Sequence, residues 1–190
     1  MGGIFILRVI SGTAKGHKLK APRGVSTRPT SDRVKESLFN IISHSIYASE
    51  VLDLFAGTGN LGIEALSRGA DSAVFIDRSQ ECFSIINENL RHTKLEDKAS
   101  VMVGDVFACL KRLSSQGRKF DIVFLDPPYN KNLIEETLTF IVQNDIIRDN
   151  SIIIAERDID DIIPQSIEAI KLAREERYGD TVLSFYRHGH

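Results

Sequence analysis

Four aspartates, Asp53, Asp77, Asp105 and Asp126, stand in or at the ends of short apolar runs in this 190-residue chain, and a glycine-rich turn follows the first of them. The turn, "GTGNLG", spaces Gly57, Gly59 and Gly62 as G-x-G-x-x-G. Glycines at that spacing let a backbone turn tightly and approach a ligand, which is the fingerprint of a dinucleotide-binding turn. Asp77 lies 20 residues after Gly57, where an acid can take ribose hydroxyls. Both features fit a nicotinamide dinucleotide, and both fit any other adenosine-bearing cofactor.

Three further features separate the two. Asp53 lies inside the run "VLDLF" that feeds the turn. A carboxylate there sits badly beside a pyrophosphate but suits a ligand that carries a cation. S-adenosylmethionine has an ammonium and a sulfonium and no phosphate. Asp105 follows Gly104 at the end of the third run, where its side chain can meet an adenine amine. The fourth run ends in "DPPY", Asp126-Pro127-Pro128-Tyr129. Hydride transfer gives no reason for that tetrapeptide, whereas methylation of an exocyclic amine does. A lone strand-end aspartate is often a helix cap, and a lone DPP is often only a turn. Four such acids in order, with the glycine turn and DPPY, point away from a nicotinamide site.

The elements that must position these residues follow from periodicity. Strand-like "EVLDLF" leads to a helix over residues 60–68, closed by Gly69. "SAVFID" precedes a helix over 80–94, "ASVMVG" one over 106–113, and "FDIVFLD" one over 132–143, with "SIIIAE" after it. Continuous apolar runs that alternate with helices describe a parallel sheet covered on both faces, an α/β doubly wound architecture. The last two runs, around Tyr178-Gly179-Asp180, read as an antiparallel hairpin at the sheet edge. At the other end, "LRVISG" and "HKLKAP" read as a hairpin and loop rather than core. A helix should follow, capped by Thr30 or Ser31, with Asp32 in its first turn and Val34, Leu38, Ile41 and Ile42 on its apolar face. The division expected is a basic arm over residues 1–30 and a larger domain over 31–190.

Composition narrows the partners. No apolar run approaches the roughly 20 residues a membrane span needs, and "MGGIFI" lacks the basic start of a signal peptide. Cys82 and Cys109 fall in helix-like segments and read as reduced, buried thiols, with a single disulfide between them as the alternative. The five histidines, His17, His44, His92, His188 and His190, show no ligand spacing with the cysteines, so no metal is expected. Residues 1–35 hold eight bases and one acid, while the rest holds 16 bases and 25 acids. A basic arm on an acidic body points to a polyanion held by the arm.

The quoted residues resemble the RsmD family of bacterial 16S ribosomal RNA guanine-N2 methyltransferases, within the class I S-adenosylmethionine-dependent superfamily. The pattern appears as "RVISGTAKGHKLKAPRGVSTRPTSDRVKESLFNII", "VLDLFAGTGNLGIEALSRGA", "FDIVFLDPPY" and "YGDTVLSFYR", from Arg8 to Arg187. The glycine turn is superfamily-wide, DPPY narrows the field to amino-group methylation, and the first and last blocks point to this family. Departures are Asp77 where the family commonly has Glu, Asn60 in place of a small residue, and "MGGIFI" ahead of the usual start.

The resemblance implies a Rossmann-like class I methyltransferase fold and a cytoplasmic enzyme, with monomer as the default state. It implies S-adenosylmethionine held by Asp53, Phe55, Ala56, Gly57, Thr58, Gly59, Asp77, Arg78, Asp105, Val106 and Asp126. Asp126 and the Pro127 carbonyl would accept hydrogen bonds from the amine, Pro128 offers no competing N–H, and Tyr129 would stack on the base. Arg8, Lys15, Lys18, Lys20, Arg23, Arg28 and Arg33 are the candidate phosphate contacts; for Arg33 an ion pair with Asp32 or Glu36 is the competing role. The partner implied is 16S rRNA in the small subunit, by resemblance at guanine 966. Two rivals stay open: a DNA amino-methyltransferase, for which the chain lacks room for a recognition domain, and a non-catalytic RNA-binding or assembly factor.

Overall fold

The apolar runs do become strands. The computed structural model describes residues 7–22, 32–128 and 132–189. In chain order the elements are α1 (Asp32–Ile41), α2 (Ser43–Ile46), β1 (Glu50–Leu54), α3 (Asn60–Ser67), β2 (Ser72–Asp77), α4 (Gln80–Thr93) and β3 (Ala99–Val103). They continue as α5 (Val106–Ser115), β4 (Phe120–Leu125), α6 (Leu133–Gln143), β5 (Ile147–Asp158), β6 (Ser166–Ile167), β7 (Ile170–Tyr178) and β8 (Thr181–His188). Among the described residues these strands form one sheet in the order β3-β2-β1-β4-β5-β8-β7-β6. The first five pair in parallel, and β8 runs antiparallel between β5 and β7. The expected hairpin is therefore present, but the outermost strand is the two-residue β6, too short to leave a sequence signal.

Side chains alternate between the faces of a strand, and two cores result. Val51, Phe75, Ile122, Phe124 and Ile154 pack under α1, α3 and α4. Leu52, Leu54, Val74, Val123 and Leu125 pack under α5 and α6. Because the chain runs from β1 outward to β2 and β3 and then crosses back to β4 on the other side of β1, a crevice opens beyond the carboxyl ends of β1 and β4. Ligands of open α/β sheets bind at such a switch point.

Among the described residues the N-terminal hairpin forms as a single antiparallel bridge, Arg8 to Lys18, with Val9 N donating to His17 O at 2.9 Å and Leu19 N to Leu7 O at 2.8 Å. The expectation that it lies outside the core needs correcting. Val9, Ala14 and Leu19 are buried with α1 and α3, because three apolar residues spaced along a short hairpin are enough to seal one helix layer. Val34, Leu38 and Ile42 are buried as expected and Ile41 is half-buried, while Thr30 and Ser31 lie outside the described residues.

Candidate active site at the carboxyl ends of the strands

Register places the acids in a row. Asp53 pairs with Phe75 on β2 and Phe124 on β4, and Phe124 pairs with Ile154 on β5. Two residues further along each strand, on the same face by the period-two rule, stand Asp77, Asp126 and Glu156. Glu156 was not anticipated; it sits next to Asp126 because Leu125 pairs with Ala155.

Between β1 and α3 the chain reverses through left-handed conformations at Phe55 (φ 58°), Gly57 (φ 56°) and Gly59 (φ 76°). Phe55 bears a side chain in that region, at a cost of about 1–2 kcal/mol. The turn is held by Ala56 N donating to Ile76 O at 3.0 Å and Gly59 N to Ala56 O at 2.7 Å. Gly57 N donates to Asp77 Oδ2 at 2.9 Å. A Cβ on Gly57 would meet only the Phe55 carbonyl, at 4.0 Å, so its outer side faces open space that a ligand can approach. Gly62 does a different job. A Cβ there would lie 2.3 Å from the Phe75 ring, so its absence lets α3 press onto β2 and brings Gly62 N within 2.9 Å of Asp53 Oδ2.

Asp53 is 3 % exposed. The Gly62 N–H favours its ionised form, but burial outweighs it and the Asp77 charge adds to burial, so its pKa is pushed up to about 7. Asp77 accepts from Gly57 N on one oxygen and from Ser79 N, at 2.8 Å, on the other. A carboxylate has about four lone-pair sites, so two remain for hydroxyl donors. Asp105 is the N-cap of α5, its Oδ1 accepting from Ala108 N at 3.1 Å. Val106 opens that helix, where the first N–H groups lack intrahelical acceptors. Arg78 is exposed beyond β2.

Asp126 contrasts with these. No donor among the described residues reaches its carboxylate. Asp126 is exposed to water, yet neighbouring protein also crowds it. That crowding, then the charges of Glu156 and Asp53, hold its pKa well above the usual carboxylate range. Pro127 is half-buried and Pro128 exposed; Tyr129 lies outside the described residues.

The candidate phosphate contacts spread over the arm. Arg8, Lys15, Lys18, Lys20 and Arg33 are all exposed, and Arg23 and Arg28 lie outside the described residues. Asp32 pairs with Arg8, Nε to Oδ2 at 2.9 Å, rather than with Arg33. Lys20 pairs with Glu88.

Sequence reasoning missed a buried polar network. Lys35, one of the eight N-terminal bases, is fully buried. Its Nζ donates to Asn60 Oδ1 at 2.7 Å and to Arg8 O at 2.5 Å, and lies 3.2 Å from buried Glu64. Burial lowers the Lys35 pKa despite Glu64. Glu64 also accepts from Ile10 N and Ser11 N, at 2.8 and 3.0 Å, and from Arg68 Nε at 2.8 Å. The available signal was position: Lys35 adjoins Val34 and precedes Leu38 on an apolar face, and Glu64 interrupts "LGIEAL". Among the described residues no cluster of three or more His, Cys, Asp or Glu could hold a metal.

Comparison with known proteins gives relatives along the length of the chain. The family model described as conserved hypothetical protein 95 matches residues 7–187. YlbH of Bacillus subtilis (strain 168) is 39 % identical over 181 residues, covering 95 % of this chain and 98 % of that protein. The ribosomal RNA small subunit methyltransferase D of Haemophilus influenzae is 38 % identical over 155 residues, covering 81 % and 80 %. The solved structure of yhhF from Escherichia coli superposes with a TM-score of 0.84 at 34 % identity, covering 95 % of this chain and 97 % of that one.

Proposed function

The chain belongs to the conserved hypothetical protein 95 family, the RsmD family of the sequence resemblance, and from that premise we propose that it is an S-adenosylmethionine-dependent methyltransferase of ribosomal RNA. The finer reading is transfer to the exocyclic N2 amine of a guanine in 16S rRNA, by resemblance guanine 966, within the small subunit in the cytoplasm. The observation that carries it is Asp126: a carboxylate at the end of β4, without a donor among the described residues, followed by two prolines.

The residues fit the methyl donor. Asp53 is a buried acid poised near pH 7, and a nearby ammonium supplies the positive charge that ionises it. It acts through the glycine turn, whose Gly62 N–H it holds. Gly57 leaves room for close backbone approach, and the remaining acceptor sites of Asp77 suit a ribose diol. Asp105, with the Val106 N–H, would read the adenine edge. When bound, S-adenosylmethionine supplies an electrophilic methyl and a neutral thioether leaving group.

The chain supplies alignment. A guanine amine is a weak nucleophile because its lone pair is delocalised into the ring. Asp126 and the Pro127 carbonyl accept its two hydrogens and aim the nitrogen lone pair, and both stabilise the positive charge that develops there. Such alignment contributes roughly 7–11 kcal/mol in favourable cases. As the nitrogen gains its methyl, Asp126 or water takes the surplus proton, and the raised pKa makes Asp126 a competent acceptor. The base must leave its stack to enter, which is easiest from an unpaired loop, and Tyr129 would stack on it. Arm cations would add affinity through phosphates.

The test is transfer of labelled methyl to unmodified small-subunit particles, naked rRNA and DNA, followed by nucleoside mass spectrometry. N2-methylguanosine from rRNA or particles supports the reading. Label in DNA alone, or binding of the donor with no transfer to any substrate, contradicts it.

A further inference from the structure

We propose that Asn89 is a positioning residue that ties the N-terminal arm to the methyl-donor turn, so that RNA held by the arm tightens the donor site. The inference rests on the function proposed above and adds a residue and a coupling to it.

Asn89 lies on α4, 1 % exposed, and its amide makes three hydrogen bonds. Oδ1 accepts from Lys20 N at 2.8 Å, while Nδ2 donates to Lys20 O at 3.1 Å and to Thr58 O at 2.9 Å. The first two bonds imitate a rung of a β-ladder and lock the backbone of the arm. The third reaches the middle of the glycine turn. A side-chain amide has two donor hydrogens and one acceptor oxygen, so one residue joins two segments that are 38 positions apart in sequence.

The bond to Thr58 fixes a peptide plane. With the Thr58 carbonyl held by Asn89 and the Gly59 N–H held by Ala56 O at 2.7 Å, the Thr58–Gly59 peptide is pinned at both ends. The Thr58 N–H has no acceptor among the described residues, and the Gly57 N–H is held by Asp77. The Thr58 N–H lies on the peptide between these two anchors, so Asp77 and Asn89 together set the backbone that a ligand would meet. The arm is also bolted to α3 at a second place. Glu64 takes Ile10 N and Ser11 N, and Ser67 Oγ accepts from Ala14 N at 2.9 Å and donates to Ser11 O at 2.6 Å. The bolts at α3 fix where the arm sits, Lys35 links Arg8 to Asn60 at the end of the turn, and among the described residues Asn89 links the arm to the Thr58 carbonyl in its middle. Ordering Lys20 therefore orders Thr58, and the coupling is reciprocal.

The test is calorimetric titration of the full chain with S-adenosylhomocysteine, with and without a saturating 24-nucleotide single-stranded RNA, for wild type and Asn89→Ala. Donor KM and kcat on small-subunit particles are measured alongside. Wild type should bind S-adenosylhomocysteine several-fold more tightly with RNA present. In Asn89→Ala that enhancement should vanish and donor KM should rise about tenfold, while kcat at saturating donor stays within twofold. If Asn89→Ala does not fold, Asn89→Asp serves: it keeps shape and the acceptor for Lys20 N but loses both donors. Glu88→Ala, which removes the Lys20 ion pair and leaves the backbone bridge, should keep the enhancement. An unchanged enhancement in the Asn89 variants, or losses that fall on kcat and KM alike, would overturn the inference while leaving the proposed function intact. No binding of S-adenosylhomocysteine to wild type would instead remove the function on which it rests.

Discussion

The two sides of the crevice treat their acids in opposite ways. On the side of β1, β2 and β3, every carboxylate accepts from backbone: Asp53 from Gly62, Asp77 from Gly57 and Ser79, Asp105 from Ala108. On the side of β4 and β5, Asp126 accepts from no described donor and faces Glu156. The first arrangement ties the acids to backbone and leaves residual acceptors that, on the proposed function, would meet hydroxyls and a cation. The second leaves acceptor capacity open, as the proposed amine substrate with its own N–H donors would require. The difference supports the proposal that the methyl donor binds on one side and the amine on the other.

The largest break in that comparison comes from removing the open acid. Asp126→Ala should lower transfer by about three orders of magnitude, the scale of a positioned electrostatic group, with S-adenosylhomocysteine affinity kept within a few fold. Calorimetry and single-turnover rates on the same preparation check it; equal losses in both would mean Asp126 serves the cradle. Next is Asp53→Asn. Donor affinity should fall about 10- to 100-fold, and wild-type affinity should itself weaken as pH drops through about 7, where Asp53 gains a proton.

Stability should move the other way. The Asp53 carboxyl binds its proton more tightly folded, at about 7, than at its ordinary value of 3.8, so its contribution is full below about pH 4 and is lost as pH rises to 7. Asn removes that loss, and above pH 7 the variant should gain up to about 4 kcal/mol in denaturant unfolding. A less stable Asp53→Asn at pH 8 would contradict the burial argument.

Gly62→Ala tests the cradle by packing alone. The added Cβ drives into the Phe75 ring and should cost about 1–3 kcal/mol, with donor affinity weakened because Gly62 N moves off Asp53. Thermal unfolding that matches wild type would show that α3 yields freely. The smallest effect sharpens the open side. Glu156→Gln takes a negative charge from beside Asp126, so the Asp126 pKa falls and the acid limb of the pH–rate profile should move to lower pH. A limb that stays put would remove Glu156 from the site.

What the sequence disclosed was periodic or punctuated. Strand-ending acids, helix spans within a residue or two and the glycine turn all follow from local spacing, and local spacing survives folding. What it hid depends on pairs distant in the chain. Lys35 looked like one more arm cation, yet Glu64, 29 positions on, draws it into the core. Asn89 gave no signal, because its two partners meet only once the arm lies on α4. Asp77 was assigned to a ribose, and its hold on Gly57 appears only when β1 and β2 pair. Glu156 became a neighbour of Asp126 through sheet register, which no one-dimensional pattern encodes.

The most direct measurement is a calorimetric titration of the purified chain at pH 8 with S-adenosylhomocysteine and, separately, with nicotinamide dinucleotide. A cradle of backbone-tied acids built for a cation-bearing adenosine ligand should give saturable one-to-one heat with the first and none with the second. Saturable binding of the dinucleotide and silence with S-adenosylhomocysteine would contradict it.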